Sequence, residues 1–301
     1  MFPIIPANSA AESANDNGIF AYGQAPTDSA YSNTISNVGV VSSDVAGVGT
    51  ARGQVMGCEY GGDKGIFAYG NDGGVAQSMS NLVSNTGVVS SDVAGVGTDR
   101  WYGAGCEYGG DKGIFGYGYT GSTTAVSNLV TNAGVIGADQ AAVTGTARFN
   151  LGACEYGEDK GIFGYGDDRI TTHLAITNLV TNAGVIGADV AGVGTARDNV
   201  AACGYGEDTG IFCFGYPYLS MSNLVSNTGV VGIDVATVGT GRYAPAACEY
   251  GGDKGIFGFG DESGGPAGSD TTNLVSNAGV VASDVSGVGT AGYYRGACSY
   301  N

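Results

Sequence analysis

Cysteine is the residue whose spacing in this chain most invites a chemical reading. Cysteines stand at 58, 106, 154, 203, 248 and 298, separated by 48, 48, 49, 45 and 50 residues. Thiolate zinc sites draw their ligands from close pairs, so an interval near 50 excludes that pattern. Each cysteine instead holds the same place in a repeat, where a small, reduced, buried hydrophobe fits. Cys213 is extra, at a place where other copies carry Gly or Ala, and it flanks one hairpin together with Cys203. Pairing across that hairpin stays open. The expectation is six or seven free thiols, with no metal and no cofactor.

Arginine recurs as well. Arg52, Arg100, Arg148, Arg197 and Arg242 each end a Gly-Thr-x-Arg motif, and the sixth copy has Gly292 in that place. Such guanidiniums could ring one face and hold carboxylate or phosphate groups. The more ordinary use is structural, each pairing with Asp44, Asp92, Asp139, Asp189, Asp234 or Asp284 of its own or the adjacent repeat, and that reading is preferred. Lys64, Lys112, Lys160 and Lys254 fall in hairpin turns and are read as solvated. His173 is the only histidine, so a Ser-His-Asp arrangement has one possible base. Paired carboxylates remain conceivable, but a catalytic pair should break the repeat symmetry, and the acids mostly obey it. No catalytic residue is assigned.

The elements that must position these residues form a repeat of about 48 residues. CEYGGDKGIFGYG at 106–118 returns at 58–70, 154–166, 203–215 and 248–260, with a half-copy NDNGIFAYG at 15–23 and its missing half ACSYN at 297–301. A second block, SNLVSNTGVVSSD at 80–92, and a third, GVGTAR at 47–52, travel with it in six copies. The Cys stretch reads as a short strand, Gly-Asp or Glu-Asp as a hairpin turn, and GIFGYG as the returning strand. NLVSN reads as a third strand and AGVGT as a fourth. Four strands repeated six times predict an all-β fold, a six-bladed β-propeller with four-stranded blades. Its ring would be closed by the C-terminal strand, which completes the first blade and leaves no open edge.

TARFNLGACEYGEDKGIFGYG at 146–166 resembles a kelch repeat, in which an Arg, a small-residue strand, a polar turn and an Ile-Tyr/Phe strand ending in glycine recur in this order. The likeness covers 15–301 and implies a kelch-like propeller. The chain departs from the pattern in its GYG or AYG for the Gly-Gly pair, in AGVGT as fourth strand, and in having Trp101 as its only Trp. The copper centre of kelch-fold oxidases needs a His pair that this chain lacks, and sialidase-type Asp boxes are absent from the sequence. The wording SNLVSNTGVVSSDVAGVGT at 80–98 is similar to repeat proteins of marine tailed phages, which implies a virion or extracellular appendage component.

Composition excludes some partners. With 28 acidic against 11 basic residues, the net charge of −17 opposes binding to nucleic acid or anionic membranes. No run approaches the roughly 20 apolar residues of a membrane span, and no secretory signal is read. Residues 1–13 match no repeat and are read as an arm; 14–301 form the propeller. Phe2, Ile4 and Ile5 give that arm an apolar patch suited to docking on a neighbouring subunit. The stretches 24–31, 71–79, 119–126, 167–176, 216–221 and 261–271 vary while the scaffold does not, the pattern of binding loops on a rigid frame. Tyr31, Tyr119, Arg169, His173, Tyr216 and Tyr218 are their candidate binding residues. The expected function is a non-enzymatic structural or adhesive module, with other virion or appendage proteins, a cell-surface glycan or a receptor as partners. The alternative is a glycan-active hydrolase or lyase on the same scaffold.

Overall fold

A computed structural model of the chain describes residues 16–24, 26–140, 145–171, 173–265 and 267–301. The arm, with Phe2, Ile4 and Ile5, lies outside the described residues. The described elements are all strands, and among the described residues no helix is long and apolar enough to cross a membrane.

The strands make six small antiparallel sheets. Five are built from consecutive strands, such as Met56–Tyr60, Lys64–Asp72 and Val75–Val83, or Gly152–Tyr156, Lys160–Gly164 and Thr177–Val180. The sixth joins distant parts of the sequence, because Asn17–Ala21 pairs with Ser32–Ile35 on one side and Gly296–Tyr300 on the other. The register is the same throughout. Cysteine stands opposite the Ile of Gly-Ile-Phe, as in Cys58 with Ile66 and Cys298 with Ile19, and the Phe stands opposite an Asn, as in Phe67 with Asn81. The hairpin between the Cys strand and the Ile-Phe strand demands positive φ at two successive residues, and Gly61 and Gly62 supply it. In two repeats the second place falls to Glu158 and Glu207, which hold φ of 68° and 75° without a glycine's freedom.

The expected fourth strand is the main departure. Among the described residues only Val235–Ala236 qualifies, pairing with Met221 and Ser222. In the other repeats it shrinks to an isolated bridge, such as Ser80 with Val93 or Thr177 with Val190. The glycines of GVGT instead lie hard against the neighbouring segment, where a Cβ on Gly47 would collide with Ala30 and one on Gly95 with Ser78 Oγ. Two of the stretches read as loops, 71–79 and 119–126, are largely strand, extending their hairpins beyond irregularities at Ala68/Gly70 and Gly116/Gly118.

The periodic cysteines now have a physical explanation. Each sulfur packs on the glycine of Gly-Ile-Phe in the next sheet: a Cβ on Gly113 would lie 2.5 Å from Cys58 Sγ, and one on Gly161 2.5 Å from Cys106 Sγ. The same contact joins Cys298 to Gly65 and Cys248 to Gly18. All seven cysteines are free and buried. Cys203 and Cys213 do not pair, because Cys203 stands opposite Ile211 whereas Cys213 stands opposite Ala201. The Cys strands are neighbours in sequence order, and Gly296–Tyr300 lies beside Met56–Tyr60. Backbone bonds repeat this pattern, from Gly61 N–H to Asp111 O, Gly109 N–H to Asp159 O, and Gly251 N–H to Asp16 O.

This contact is testable by a double-mutant cycle. Gly113→Ala should destabilise the protein by about 1–3 kcal/mol by overpacking, and Cys58→Ala should relieve much of that cost in the double variant. Denaturant titration reads the coupling; strictly additive losses would contradict the contact.

Candidate functional site at one end of the sheets

The frame of the site is set by buried arginines. Arg52, Arg100, Arg148, Arg197 and Arg242 are 0% exposed. Each guanidinium lies over an aromatic ring of the preceding sheet, at 4.3 Å over Tyr22, 3.9 Å over Tyr69, 4.3 Å over Tyr117, 4.1 Å over Tyr165 and 4.1 Å over Phe214. Such a stack offsets part of the desolvation cost of a cation. Backbone and amide acceptors supply more: Arg52 donates to Tyr69 O at 2.8 Å, to Asn81 Oδ1 at 2.7 Å and to Thr50 O at 3.0 Å. The sequence reading left the sixth place to Gly292. Arg295 fills it from three residues further on, with its guanidinium 3.8 Å over Phe259 and bonds to Asn33 Oδ1 and Thr290 O.

The expected Arg–Asp pairs are not the main link. Among the described residues only Arg52–Asp92 and Arg197–Asp234 come within 4.0 Å. Those aspartates instead accept from the threonine of the preceding connection, as in Thr50 Oγ1 to Asp92 Oδ2 at 2.8 Å and Thr290 Oγ1 to Asp44 Oδ2 at 2.6 Å. Partial burial acts against ionisation of Asp92, but the Asn81 amide and the Thr50 hydroxyl and N–H outweigh it and hold the carboxyl below its usual range. Buried in this way, the arginines are closed to external anions. The lysines of the turns each contact the preceding aspartate, as Lys64 does Asp63, and stay partly exposed.

Just beyond each arginine position, the chain presents two residues at the end of the sheets. The first is bridged to the residue following the x-Tyr/Phe-Gly turn, giving Gly53 with Asn71, Trp101 with Tyr119, Phe149 with Asp167, Tyr243 with Asp261 and Tyr293 with Gln24; Tyr216 N–H donates to Asp198 O in the same way. The second residue, Gln54, Tyr102, Asn150, Asn199, Ala244 or Tyr294, has φ between 52° and 60° in every copy. Their backbones bond to one another, as Asn150 N–H to Tyr102 O, Asn199 N–H to Asn150 O and Gln54 N–H to Tyr294 O. The scaffold at these places is constant and the side chains are not.

The result is a continuous aromatic rim. Tyr119 lies 5.6 Å from Phe149 and 6.1 Å from Trp101; Phe149 lies 5.8 Å from Tyr102; Tyr102 lies 5.2 Å from Tyr294; and Tyr294 lies 6.3 Å from Tyr243. Tyr216 and Tyr218 both pack on Tyr243, and His173 packs on Tyr216 at 5.6 Å. Arg169 sits 4.6 Å over Tyr119. Five of the six candidate loop residues thus come together: Tyr119, Arg169, His173, Tyr216 and Tyr218. Tyr31 is exposed and makes none of these ring contacts. The sequence reading missed Trp101, Tyr102, Phe149, Tyr243, Tyr293 and Tyr294. Their signal was the dipeptide after the arginine place, which reads GQ, WY, FN, DN, YA and YY in the six copies.

Inside the rim a cavity of about 120 Å³ is walled by Gln54, Tyr102, Asn150, Asn199 and Tyr294. A second cavity lies behind it, and Gly57, Gly105, Ala153, Ala202, Ala247 and Ala297 line both, forming the waist between them. Glu59, Glu107, Glu155 and Glu249 face the second cavity, one residue after the cysteine in four of the six copies. Burial pushes the Glu107 carboxyl up to about 8, with Glu59 and Glu249 adding repulsion. Glu155 is raised strongly by burial and by the charges of Glu249 and Glu107. Glu59 is raised by burial, with Ser299 opposing. Carboxyls of one sign crowded around a small cavity disfavour full ionisation together.

A raised acid binds its proton more tightly in the folded state, so its contribution to stability falls as pH rises from about 4.3 towards the folded value. Glu107→Gln should therefore be near neutral at pH 5 and stabilising by about 1–3 kcal/mol at pH 8. Urea titrations at the two pH values check this; equal effects at both would contradict it. Compared with known proteins, the chain matches no family model and no curated protein.

Proposed function

We propose that the six sheets are the blades of a closed β-propeller, and that the protein is a non-enzymatic binding module whose aromatic rim recognises a glycan. The observation that carries this reading is where the repeat symmetry breaks. Cysteines, arginines, asparagines and aspartates are repeated to hold the sheets together, whereas the rim dipeptides and their bridged partners differ from copy to copy. Partly exposed Tyr and Trp rings offer flat apolar faces to the C–H faces of pyranose rings, and Arg169 and His173 offer hydrogen bonds to hydroxyls. A place on a virion or appendage, with the 1–13 arm docking on a neighbouring protein, rests on the wording of the repeat and on the arm's apolar residues.

Two outcomes are expected. On a printed array of oligosaccharides, the protein should retain a defined subset, and Tyr216→Ala and Arg169→Ala should each weaken retention about tenfold, while Tyr31→Ala should not. No retention, or an unaffected Tyr216→Ala variant, would count against the rim; release of new reducing ends would favour the glycan-active enzyme. For ring closure, removal of residues 296–301 strips the Cys strand from Asn17–Ala21. It should cost on the order of 5 kcal/mol in burial and pairing. An unchanged melting temperature would refute closure.

A further inference from the structure

One cluster at the rim is not explained by stacking or by the sheet scaffold. Asp167 and His173 are bridged neighbours on adjacent backbone segments, on either side of the turn in which Arg169 takes φ of 60°. Asp198 comes to them from the connection after Arg197, its backbone carbonyl accepting from Tyr216 N–H. Asp198 is only 5% exposed. Its Oδ2 accepts from Asn199 Nδ2 at 3.1 Å and Asn150 Nδ2 at 3.3 Å. Its Oδ1 makes no hydrogen bond, nor does His173 Nδ1, although the two atoms face each other at 3.4 Å. An acceptor so deeply buried without a bond is costly unless something else satisfies it.

The spacing fits a metal. One ligand atom from each of Asp167, His173 and Asp198 can be chosen so that all lie within 4.8 Å of one another. Two ligands bonded to one tetrahedral ion at about 2.0–2.1 Å stand roughly 3.3 Å apart, which is the separation His173 Nδ1 and Asp198 Oδ1 already have. Asp167 is the third ligand within reach, all three ligand atoms lying within 4.8 Å of one another. Asn150 and Asn199 fix the Asp198 carboxylate as outer partners.

We propose that Asp167, His173 and Asp198 bind one divalent transition-metal ion of the zinc class. An imidazole nitrogen with two carboxylates favours such an ion over calcium or magnesium, which prefer all-oxygen sets. No thiolate takes part, since all seven sulfurs are buried in the sheets. Three protein ligands leave one or two positions open towards the rim for water or a ligand oxygen. The site does not depend on the rim taking a glycan. The sequence offered little sign of it, because a single histidine and two aspartates from different repeats have no recognisable spacing.

Cobalt(II) titrated into the full chain, after treatment with a chelator, should produce visible d–d absorption that saturates at one equivalent and is displaced by zinc(II). His173→Gln and Asp198→Asn should each weaken binding on the order of 100-fold. Both should keep the metal-free melting temperature within a few degrees, since each replacement is close in shape and touches none of the buried arginine or cysteine contacts between sheets. A chain that shows no saturable cobalt spectrum at millimolar ion would overturn the site. So would a His173→Gln variant, folded by circular dichroism, that binds as tightly as the unaltered chain.

Discussion

A guanidinium shut away from bulk solvent holds each sheet to the next. A cation at 0% exposure is tolerable only if ring faces, carbonyls and amides replace its hydration. Arg100 shows how far the ring face matters, since its Nε and Nη2 have no hydrogen bond and Tyr69 lies 3.9 Å away. The aromatic partner is fixed in turn by the next sheet. Edge-to-face pairs run from Tyr22 to Phe67, Tyr69 to Phe115, Tyr117 to Phe163, Tyr165 to Phe212 and Phe214 to Phe257, and Phe259 meets Phe20. Cation, ring and asparagine therefore form one unit, and the backbone leaving the arginine is aimed at the rim with little freedom.

That precision explains why positive φ at the second rim residue is tolerated by Gln, Tyr, Asn and Ala alike. The strain is of order 1–3 kcal/mol at each place, and inter-repeat backbone bonds such as Ala244 N–H to Asn199 O help to hold it. A surface whose backbone is fixed by such bonds can change its side chains without moving. The variation in dipeptides from GQ to YY is the expected trace of that freedom.

Much of the fold was legible because it is written several times. The period, the hairpin glycines and the strand sequence follow from six near-copies, and so does the placing of cysteine as a buried spacer. The arginines were read as structural partners of aspartates; burial under an aromatic ring was not foreseen. The sequence offers Arg52 an aspartate from its own or the adjacent repeat, yet says nothing about Thr50 reaching the Asp92 carboxylate first. The fourth strand was over-read, since GVGT has the β-branched residues of a strand but its glycines pack on the neighbouring segment without extending the ladder. The rim was half visible. Loop variability pointed to Tyr119, Arg169, His173, Tyr216 and Tyr218, while Tyr102 and Tyr294 were hidden inside what looked like the lead-in to a conserved-looking strand. Convergence of residues from different repeats depends on curvature, which no single repeat encodes.

Arg295 separates two things that repeats normally keep together: the residue that sends a side chain and the place where its head group arrives. Its guanidinium reaches Asn33 and Thr290 from a different backbone position than the other five, leaving Gly292 where they have an arginine. A column-by-column alignment of the copies would score that unit as defective, although the ring stack and the asparagine and threonine bonds are present. Charge in such a lattice can migrate along the chain during divergence, provided its tether is long enough, and the glycine left behind becomes a site where new loop backbone can close in, as Ser269 does on Gly292.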